Sequence, residues 1–382
     1  MDIKRMKQFL LVEAFLSIAT YMSGSFVLIY FVRRDFDYAY CGLFYVICYI
    51  AAVVALLLLV GRTIRRPRIW MAAGMLVLAL SYGSYLVLPP PWALILAPIP
   101  FGAYIPLYWL PFNTLYMELT KSTDRGVASG IMFLIFPLIG IMFPLVGGAL
   151  IEVLDYFAIF LFAAVLLVVN ALVIATLPAF SPQPVRNEII FDQMGIGVST
   201  GFLLEGVQEG VLWITVPLLS FGFAQGELGL GTLLALFALG GALATIFVGR
   251  VTDVKGRRGL FAKAGALATG PLIIVSAGMW DVMSYTLVMG VMNFFLPIMW
   301  IMLLALSIDL AEKNKGGAVF TREVLLNVGR LIGCCITFAL LFFAATWISD
   351  DSALRICHTL AGVSVLLIGL FRLKRPIGSR QE

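Results

Sequence analysis

The sequence predicts an all-α integral membrane protein in which twelve transmembrane helices form two six-helix bundles. Of its 382 residues, 62% are hydrophobic and 12% are charged, whereas soluble domains have roughly 45–50% apolar and about 25% charged residues. A water-soluble globule cannot hide so much apolar side chain, because much of its surface must face water. Soluble, disordered, fibrous and disulfide-rich classes are therefore excluded, and we expect the lipid bilayer to surround most of the chain.

Twelve apolar runs, each about 20–28 residues long, are the predicted spans. At about 1.5 Å per residue, such a run crosses a hydrocarbon core of roughly 30 Å. Barrel strands are shorter, at roughly ten residues, and alternate in polarity, so the runs predict helices. The predicted limits are 8–32, 38–60, 69–88, 92–117, 126–151, 156–178, 195–222, 228–249, 260–280, 282–308, 321–347 and 353–372.

A relatively polar segment that contains prolines separates the sixth span from the seventh. This segment, 179–194, predicts a connector between an N-terminal bundle at 1–178 and a C-terminal bundle with a short tail at 195–382. The halves have similar lengths. Two halves related by an axis along the membrane normal are a known arrangement of helical membrane proteins.

The basic residues predict the orientation of the chain. With twelve crossings, all but four of the 26 Lys and Arg residues fall on the side that carries both chain ends. Arg33, Arg34 and Arg355 fall on the opposite side, and Arg330 lies within a span. Because cytoplasmic loops are enriched in Lys and Arg, both termini are expected in the cytoplasm and the protein in the cell (inner or plasma) membrane. A net charge of +5 distributed in this way does not indicate a nucleic-acid partner.

The residues that usually carry metal or enzyme chemistry are scarce. The five cysteines lie in or near apolar runs without metal-ligand spacing, and His358 is the single histidine. A Gly-rich phosphate loop and a nucleophile elbow are both absent from the sequence. We therefore expect no metal, no cofactor and no enzymatic activity.

The loop between spans 8 and 9 carries the most specific motif. Gly249, Asp253, Gly256, Arg257 and Arg258 form the pattern G-x-x-x-D-x-x-G-R-R. Glycines permit a tight turn, the aspartate can face a helix N-terminus, and the arginines hold the loop at the cytoplasmic surface. This pattern resembles the signature loop of the major facilitator superfamily. The resemblance implies that the loop gates a transport path.

Other parts of the chain match this family less closely. In the first half, Arg65 stands where the family usually has an aspartate. Span 5 contains Gly140, Pro144 and Gly147, which look like the family's antiporter-type motif, although Phe143 replaces a glycine. Span 4 lacks the arginine that many proton-coupled members carry. The resemblance therefore covers the whole layout but only one loop in detail.

Span 7 contains two acids and an amide near the middle of the membrane. Glu205, Gln208 and Glu209 share one helical face at i, i+3 and i+4. Ionisable groups cost at least ~2.5–3.5 kcal/mol at the centre of a span, so they are candidates for function. Two acids this close are not both expected to be ionised in a dry site. We interpret the acids as coupling candidates, with Gln208 as a cavity candidate; a solvated or purely structural role is the alternative.

Span 11 shows a polar stripe at steps of three or four residues. Its members are Glu323, Asn327, Arg330, Cys334 and Thr337. Arg330 needs an anionic partner or water at that depth. Either acid of span 7 meets this need if the two spans adjoin, and an anionic substrate is the alternative.

Span 1 carries one acid near its start. Glu13 lies only about 9 Å past Lys7, which favours an interfacial, solvated position, with a coupling role as the alternative.

Spans 4 and 10 contain aromatic and amide groups among prolines. These residues are candidates for lining a cavity, and ordinary packing is the alternative. They are Tyr108, Trp109, Asn113, Asn293 and Trp300.

The favoured functional hypothesis combines the resemblance with these polar groups. It is an alternating-access secondary transporter that moves a small organic solute, is proton-coupled, and favours export or antiport slightly over uptake. One alternative is a flippase for lipids or lipid-linked precursors on the same fold. Another is a membrane receptor or assembly factor that transports nothing. Because a single chain contains both halves, we expect a monomer.

Overall fold

The structure of the chain is a computed structural model. It describes residues 3–119, 125–177, 186–251, 257–311, 314–344, 346–371 and 373. Side chains are described within these ranges except at 3–7, 116–119, 125–137, 245–251 and 344.

The described residues are almost entirely helical. The helices, in chain order, are α1 (Ile3–Ser23, continued by Gly24–Phe26 and Val27–Val32), α2 (Tyr38–Leu59), α3 (Pro67–Val87), α4 (Pro90–Leu96 and Pro98–Leu119), α5 and α6 (together Arg125–Thr176), α7 (Ile196–Phe223), α8 (Glu227–Val251), α9 (Arg258–Ala277), α10 (Val282–Leu310), α11 (Lys315–Ala344) and α12 (Asp350–Leu370). These bounds follow the predicted spans closely. The largest difference is α11, which begins six residues earlier than predicted because its polar first turn is helical too.

The continuous helical stretch Arg125–Thr176 contains two membrane crossings. Eleven helices in the described ranges are long and apolar enough to cross a membrane, and one of them, Leu138–Thr176, has 39 residues. That length corresponds to about 58 Å, nearly twice a hydrocarbon core. The helix breaks at Asp155, where φ is 68° and ψ is 171°. We number the part before this break α5 and the part after it α6. The protein is thus an all-α integral membrane protein of twelve transmembrane helices in two six-helix bundles.

Exposed apolar side chains line the outward faces of the helices. On α6, Phe157, Leu161, Val165 and Leu172 are exposed at steps of four or seven residues. A soluble protein does not leave so continuous an apolar stripe in water. These faces are suited to contact lipid, whereas the opposite faces pack inside the protein.

The two halves of the chain meet along two pairs of helices. One contact joins α5 to α8, where a Cβ on Gly231 would collide with the Pro144 carbonyl oxygen. The other joins α2 to α11, where a Cβ on Gly42 would lie 2.9 Å from the Phe338 Cα. Glycine allows both approaches because it has no Cβ.

On the side of the membrane where α1 begins, which we call the terminal side, the second part of the predicted connector ties the halves together. Gly61 donates its N–H to the Asn187 carbonyl oxygen over 2.8 Å, and Asn187 donates to the Arg62 carbonyl oxygen over 3.0 Å. The Ile190 N–H then donates to the Thr321 hydroxyl of α11 over 2.8 Å. The first-half loop that lacks the family's aspartate is thus hydrogen-bonded to the connector.

Candidate functional site

Helices α7 and α11 lie close together because each carries a pair of glycines. A Cβ on Gly206 or Gly210 would collide with the backbone of α11, and one on Gly329 or Gly333 would collide with the backbone of α7. Each pair has G-x-x-x-G spacing, which lets two membrane helices approach closely. Spans 7 and 11 therefore adjoin, which is the condition under which an acid of span 7 can pair with Arg330.

Arg330 forms an ion pair with Glu209. Its Nε and Nη2 atoms both lie 2.6 Å from Glu209 Oε2. Its Nη1 donates to Asn327 Oδ1 over 3.3 Å, and the Asn327 amide in turn donates to the Glu323 carbonyl oxygen. The side chains of Arg330 and Glu209 are 14% and 27% exposed, so the pair is largely but not fully buried. The guanidinium has an anionic partner even with no substrate bound.

Glu205 is the carboxyl group of this site without a cation of its own. It is buried, and its Oε2 atom has no hydrogen-bond partner. Its charged neighbours are Glu209, Arg322, Arg330 and Glu323. Arg322 donates to Glu323 over 2.8 Å, and Arg330 is bound to Glu209. Among the described residues, three carboxyls thus share two guanidiniums, which leaves Glu205 as the odd acid.

Aromatic side chains from both halves border the Arg330 guanidinium. Its Cζ lies 5.9 Å from the ring centroids of Tyr49 on α2 and Trp213 on α7. Trp213 also meets Tyr45 edge to face, with centroids 6.0 Å apart. Guanidinium–ring contacts of about 6 Å are attractive. The site therefore combines apolar, aromatic and charged surfaces where the halves meet.

A second buried acid lies in the first half. The Tyr108 hydroxyl of α4 donates to Glu13 Oε2 of α1 over 2.8 Å, and Glu13 is only 2% exposed. The rings of Phe9 and Phe112, with centroids 4.4 Å apart, stack beside this bond. The expectation of a solvated Glu13 is therefore wrong. That expectation rested on the short distance between Glu13 and the start of α1, which does not show that α4 covers the carboxyl.

The other candidate cavity residues are distributed over several surroundings. Gln208 is buried with its Oε1 atom unpaired, beside the α7 acids. The Asn293 amide donates to the Met289 carbonyl oxygen within α10. Trp109 packs on Tyr108 and Phe112, Trp300 packs against a terminal-side apolar cluster, and Asn113 is half-buried. Gln208 and Asn327 thus join the charged site, Tyr108 and Trp109 lie near Glu13, and Asn293 bonds to the backbone within its own helix.

The signature loop is described only at its two ends. Gly249 lies in the last part of α8, and Arg257 precedes α9. Arg258 donates to Asp309 over 2.6 Å, which joins the start of α9 to the end of α10. Asp253 and Gly256 lie outside the described residues.

A cross-half ion pair closes the side opposite to the terminal side. Arg33, after α1, donates to both oxygens of Glu227 on α8, over 2.8 and 3.0 Å. The Tyr156 hydroxyl donates to Glu227 over 2.8 Å, and the Leu228 N–H donates to Glu152 over 3.1 Å. Sequence reasoning missed this latch, because its members are far apart in the chain and each resembles an ordinary loop residue.

Together these features define a class of protein. A helical membrane protein with two bundles, with polar contacts between them on both membrane sides and a charged site where they meet, has the architecture of a membrane transporter.

Comparison with known proteins gives the family. Residues 9–195 match the family model of the Major Facilitator Superfamily. This match supports a transporter of the major facilitator superfamily, as the signature loop predicted, with its subfamily unassigned. Transport of a small molecule across a lipid bilayer is the activity of this family.

A curated relative extends the similarity along the chain. An uncharacterized protein of Bacillus subtilis (strain 168), YqgE, is 24% identical over 278 residues. The match covers 68% of this chain and 64% of the relative, so the chain spans less than two thirds of that protein's length.

Proposed function

We propose that this protein is a proton-coupled, alternating-access secondary transporter of a small organic solute in the cell membrane, with both termini in the cytoplasm. The basic residues of the terminal side support this orientation. The two halves, 1–178 and 195–382, act as the moving bundles, and 179–194 connects them.

The observation that carries the coupling proposal is the unequal number of charges around Glu205. Three carboxyls share two guanidiniums, and the odd carboxyl is buried with an unpaired oxygen. A buried carboxylate without its own cation is costly, so this group binds a proton. Glu205 is therefore the proton site, and the Glu209–Arg330 pair is its charge partner.

The ion pair also connects proton binding to the solute. When the Glu209–Arg330 pair opens, Glu205 and Glu209 compete for one guanidinium, and one of them then needs a proton. A bound solute that separates the pair changes the proton content of the site. Solute movement is thus coupled to proton binding because the acids and arginines of the site must stay balanced in charge. No direct contact between solute and proton is needed.

The surroundings of Arg330 suggest the chemistry of the solute. Tyr49 and Trp213 offer ring faces, and Trp213 is partly exposed. An amphipathic or aromatic organic solute fits such a surface. The antiporter-like pattern of α5, with the close approach of Gly231 to Pro144, supports export more than uptake.

Contacts on both sides support alternating access. The latch between Arg33 and Glu227 closes one side, and Asn187 ties the halves on the other side. Each contact bridges the halves, so each must break when its side opens.

The decisive experiment measures proton-driven solute movement in proteoliposomes containing Glu205→Gln. The substrate would first be found with a thermal-shift screen of metabolites and drugs at two pH values. We expect the variant to insert normally, to bind the solute, and to lose solute accumulation driven by a pH gradient. Exchange of solute between two pools without a gradient should continue.

Two matched variants make the result specific. Glu209→Gln should abolish proton-driven movement as well, because it leaves Arg330 without its partner. Asp37→Asn changes an exposed acid of the opposite side, whose side chain does not cap α2 and lies outside the cross-half contacts described above, and it should keep pH-driven transport. If Glu205→Gln retains the wild-type dependence on the pH gradient, the coupling proposal is wrong. If purified wild-type protein binds a solute but moves none, the chain is a receptor rather than a carrier.

A further inference from the structure

The buried acid of the first half has a chemistry of its own. Glu13 Oε2 accepts the Tyr108 hydroxyl, but Oε1 is buried and has no hydrogen-bond partner. Ser17, one turn further along α1, is also buried with an unpaired hydroxyl oxygen. Two unpaired oxygen atoms on one helical face are unusual in a protein interior, where polar groups are normally satisfied.

No positive group compensates Glu13 among the described side chains. The titratable groups that face it are Tyr108 and Tyr104 from α4 and Tyr21 from its own helix, and all three are neutral phenols. From α6, the Asn170 amide donates to the neighbouring Val12 carbonyl oxygen and brings no charge. An ionised carboxylate in these surroundings would be a buried charge without a partner.

We propose that Glu13 is a second proton-binding site, separate from the α7–α11 site, which takes up and releases a proton during the transport cycle. The ligand is a proton rather than a metal cation. A metal ion must replace most of its hydration shell with oxygen ligands, as six to eight do around Ca²⁺. Among the described residues around Glu13, the unpaired oxygen atoms are Glu13 Oε1, Ser17 Oγ and the Oδ1 atom of Asn170. These are too few for such a metal ion, whereas a proton needs a single oxygen atom.

The Tyr108 hydroxyl connects this proton to the packing of helices. A hydroxyl that donates to a carboxyl oxygen binds the ionised form more strongly than the neutral form. Separation of α4 from α1 weakens this bond and favours the protonated acid, whereas their approach favours release. The Glu13 proton thus responds to movement within the first half. Its role in transport rests on the function proposed above, but proton binding itself does not.

Infrared difference spectroscopy of the full-length protein in liposomes tests this site directly. The probe is the proton, added by changing the pH. We expect a carboxylic-acid carbonyl band that appears on acidification, is missing in Glu13→Gln, and is retained in Glu205→Gln. In Tyr108→Phe the band should remain but shift in frequency, because Oε2 loses its hydrogen bond. This shift identifies the Glu13 band even if Glu13→Gln fails to fold.

Transport measurements then decide whether Glu13 takes up and releases its proton during the transport cycle. We expect Glu13→Gln to lower the number of protons moved per solute, while solute exchange without a gradient continues. The proposal is overturned if neither Glu13→Gln nor Tyr108→Phe alters any carboxylic-acid band. It is also overturned if the Glu13 band is present at every pH and Glu13→Gln moves as many protons per solute as the wild type. If Glu205→Gln keeps full coupling while the Glu13 band still titrates, only the Glu205 assignment fails.

Discussion

The two halves of the protein bury a carboxyl group in opposite ways. Glu13 in the first half and Glu205 in the second are each about 2% exposed, and each has an oxygen atom without a partner. The partner of Glu13 is a neutral phenol, whereas Glu205 lies among two arginines and two further acids. The comparison teaches that the protonation of Glu13 depends on a hydrogen bond and helix packing. The protonation of Glu205 depends on the balance of charges around it.

The difference arises from how closely the helices approach. Four glycines bring the backbones of α7 and α11 together, so Arg330 reaches Glu209 across the contact. In the first half, α4 meets α1 through the stacked rings of Phe9 and Phe112, which leave room for a phenol beside Glu13. Small residues therefore favour the charged site, and aromatic residues favour the neutral one.

Arg330→Gln should have the largest effect on stability. Removal of one member of a partly buried ion pair leaves the other charge unpaired, which costs about 3 kcal/mol. Thermal unfolding in detergent measures this loss. Arg330→Gln combined with Glu209→Gln should recover most of the stability, because no unpaired charge is left. Glu13→Gln should lose much less than Arg330→Gln. If it loses as much, the contrast between the halves is wrong.

Gly210→Ala should have an intermediate effect by separating α7 from α11. Its Cβ would collide with the Arg330 carbonyl oxygen, and overpacking of this kind costs about 1–3 kcal/mol. Gly222→Ala on the same helix is the matched control, because its Cβ would meet nothing within 4 Å. Unfolding temperatures of the two variants give the comparison. Equal stability would mean that the glycine contact does not hold the charged site together.

Tyr108→Phe should have the smallest effect on stability. It removes one hydrogen bond to a buried carboxyl, a loss of about 1 kcal/mol. Tyr82→Phe is its control, because the Tyr82 hydroxyl is buried without a partner, so its removal should be close to neutral. Both variants are compared by thermal unfolding at low and high pH. The Tyr108→Phe deficit should be larger at high pH, where the hydroxyl would have bound an ionised Glu13. A deficit independent of pH would contradict proton binding at Glu13.

Several parts of the site could be predicted from the sequence. The i, i+3 and i+4 spacing put Glu205, Gln208 and Glu209 on one face, and the stripe of span 11 identified Arg330 and Asn327. Spacing along a helix fixes which side chains share a face, because the helix geometry is constant. The partner across the contact is not fixed in this way. Glu13 was therefore expected in solvent, and the Arg33–Glu227 latch was not foreseen.

By itself, the sequence determined that the chain crosses the membrane as helices, where each helix lies to within a few residues, and which family it resembles. These features follow from local physics, because lipid requires every backbone group to be paired within its own helix. The structure decided which acid is paired, which is buried alone, and how the halves close against each other. Those outcomes depend on contacts between residues far apart in the chain, such as Glu209 and Arg330, which only packing brings together.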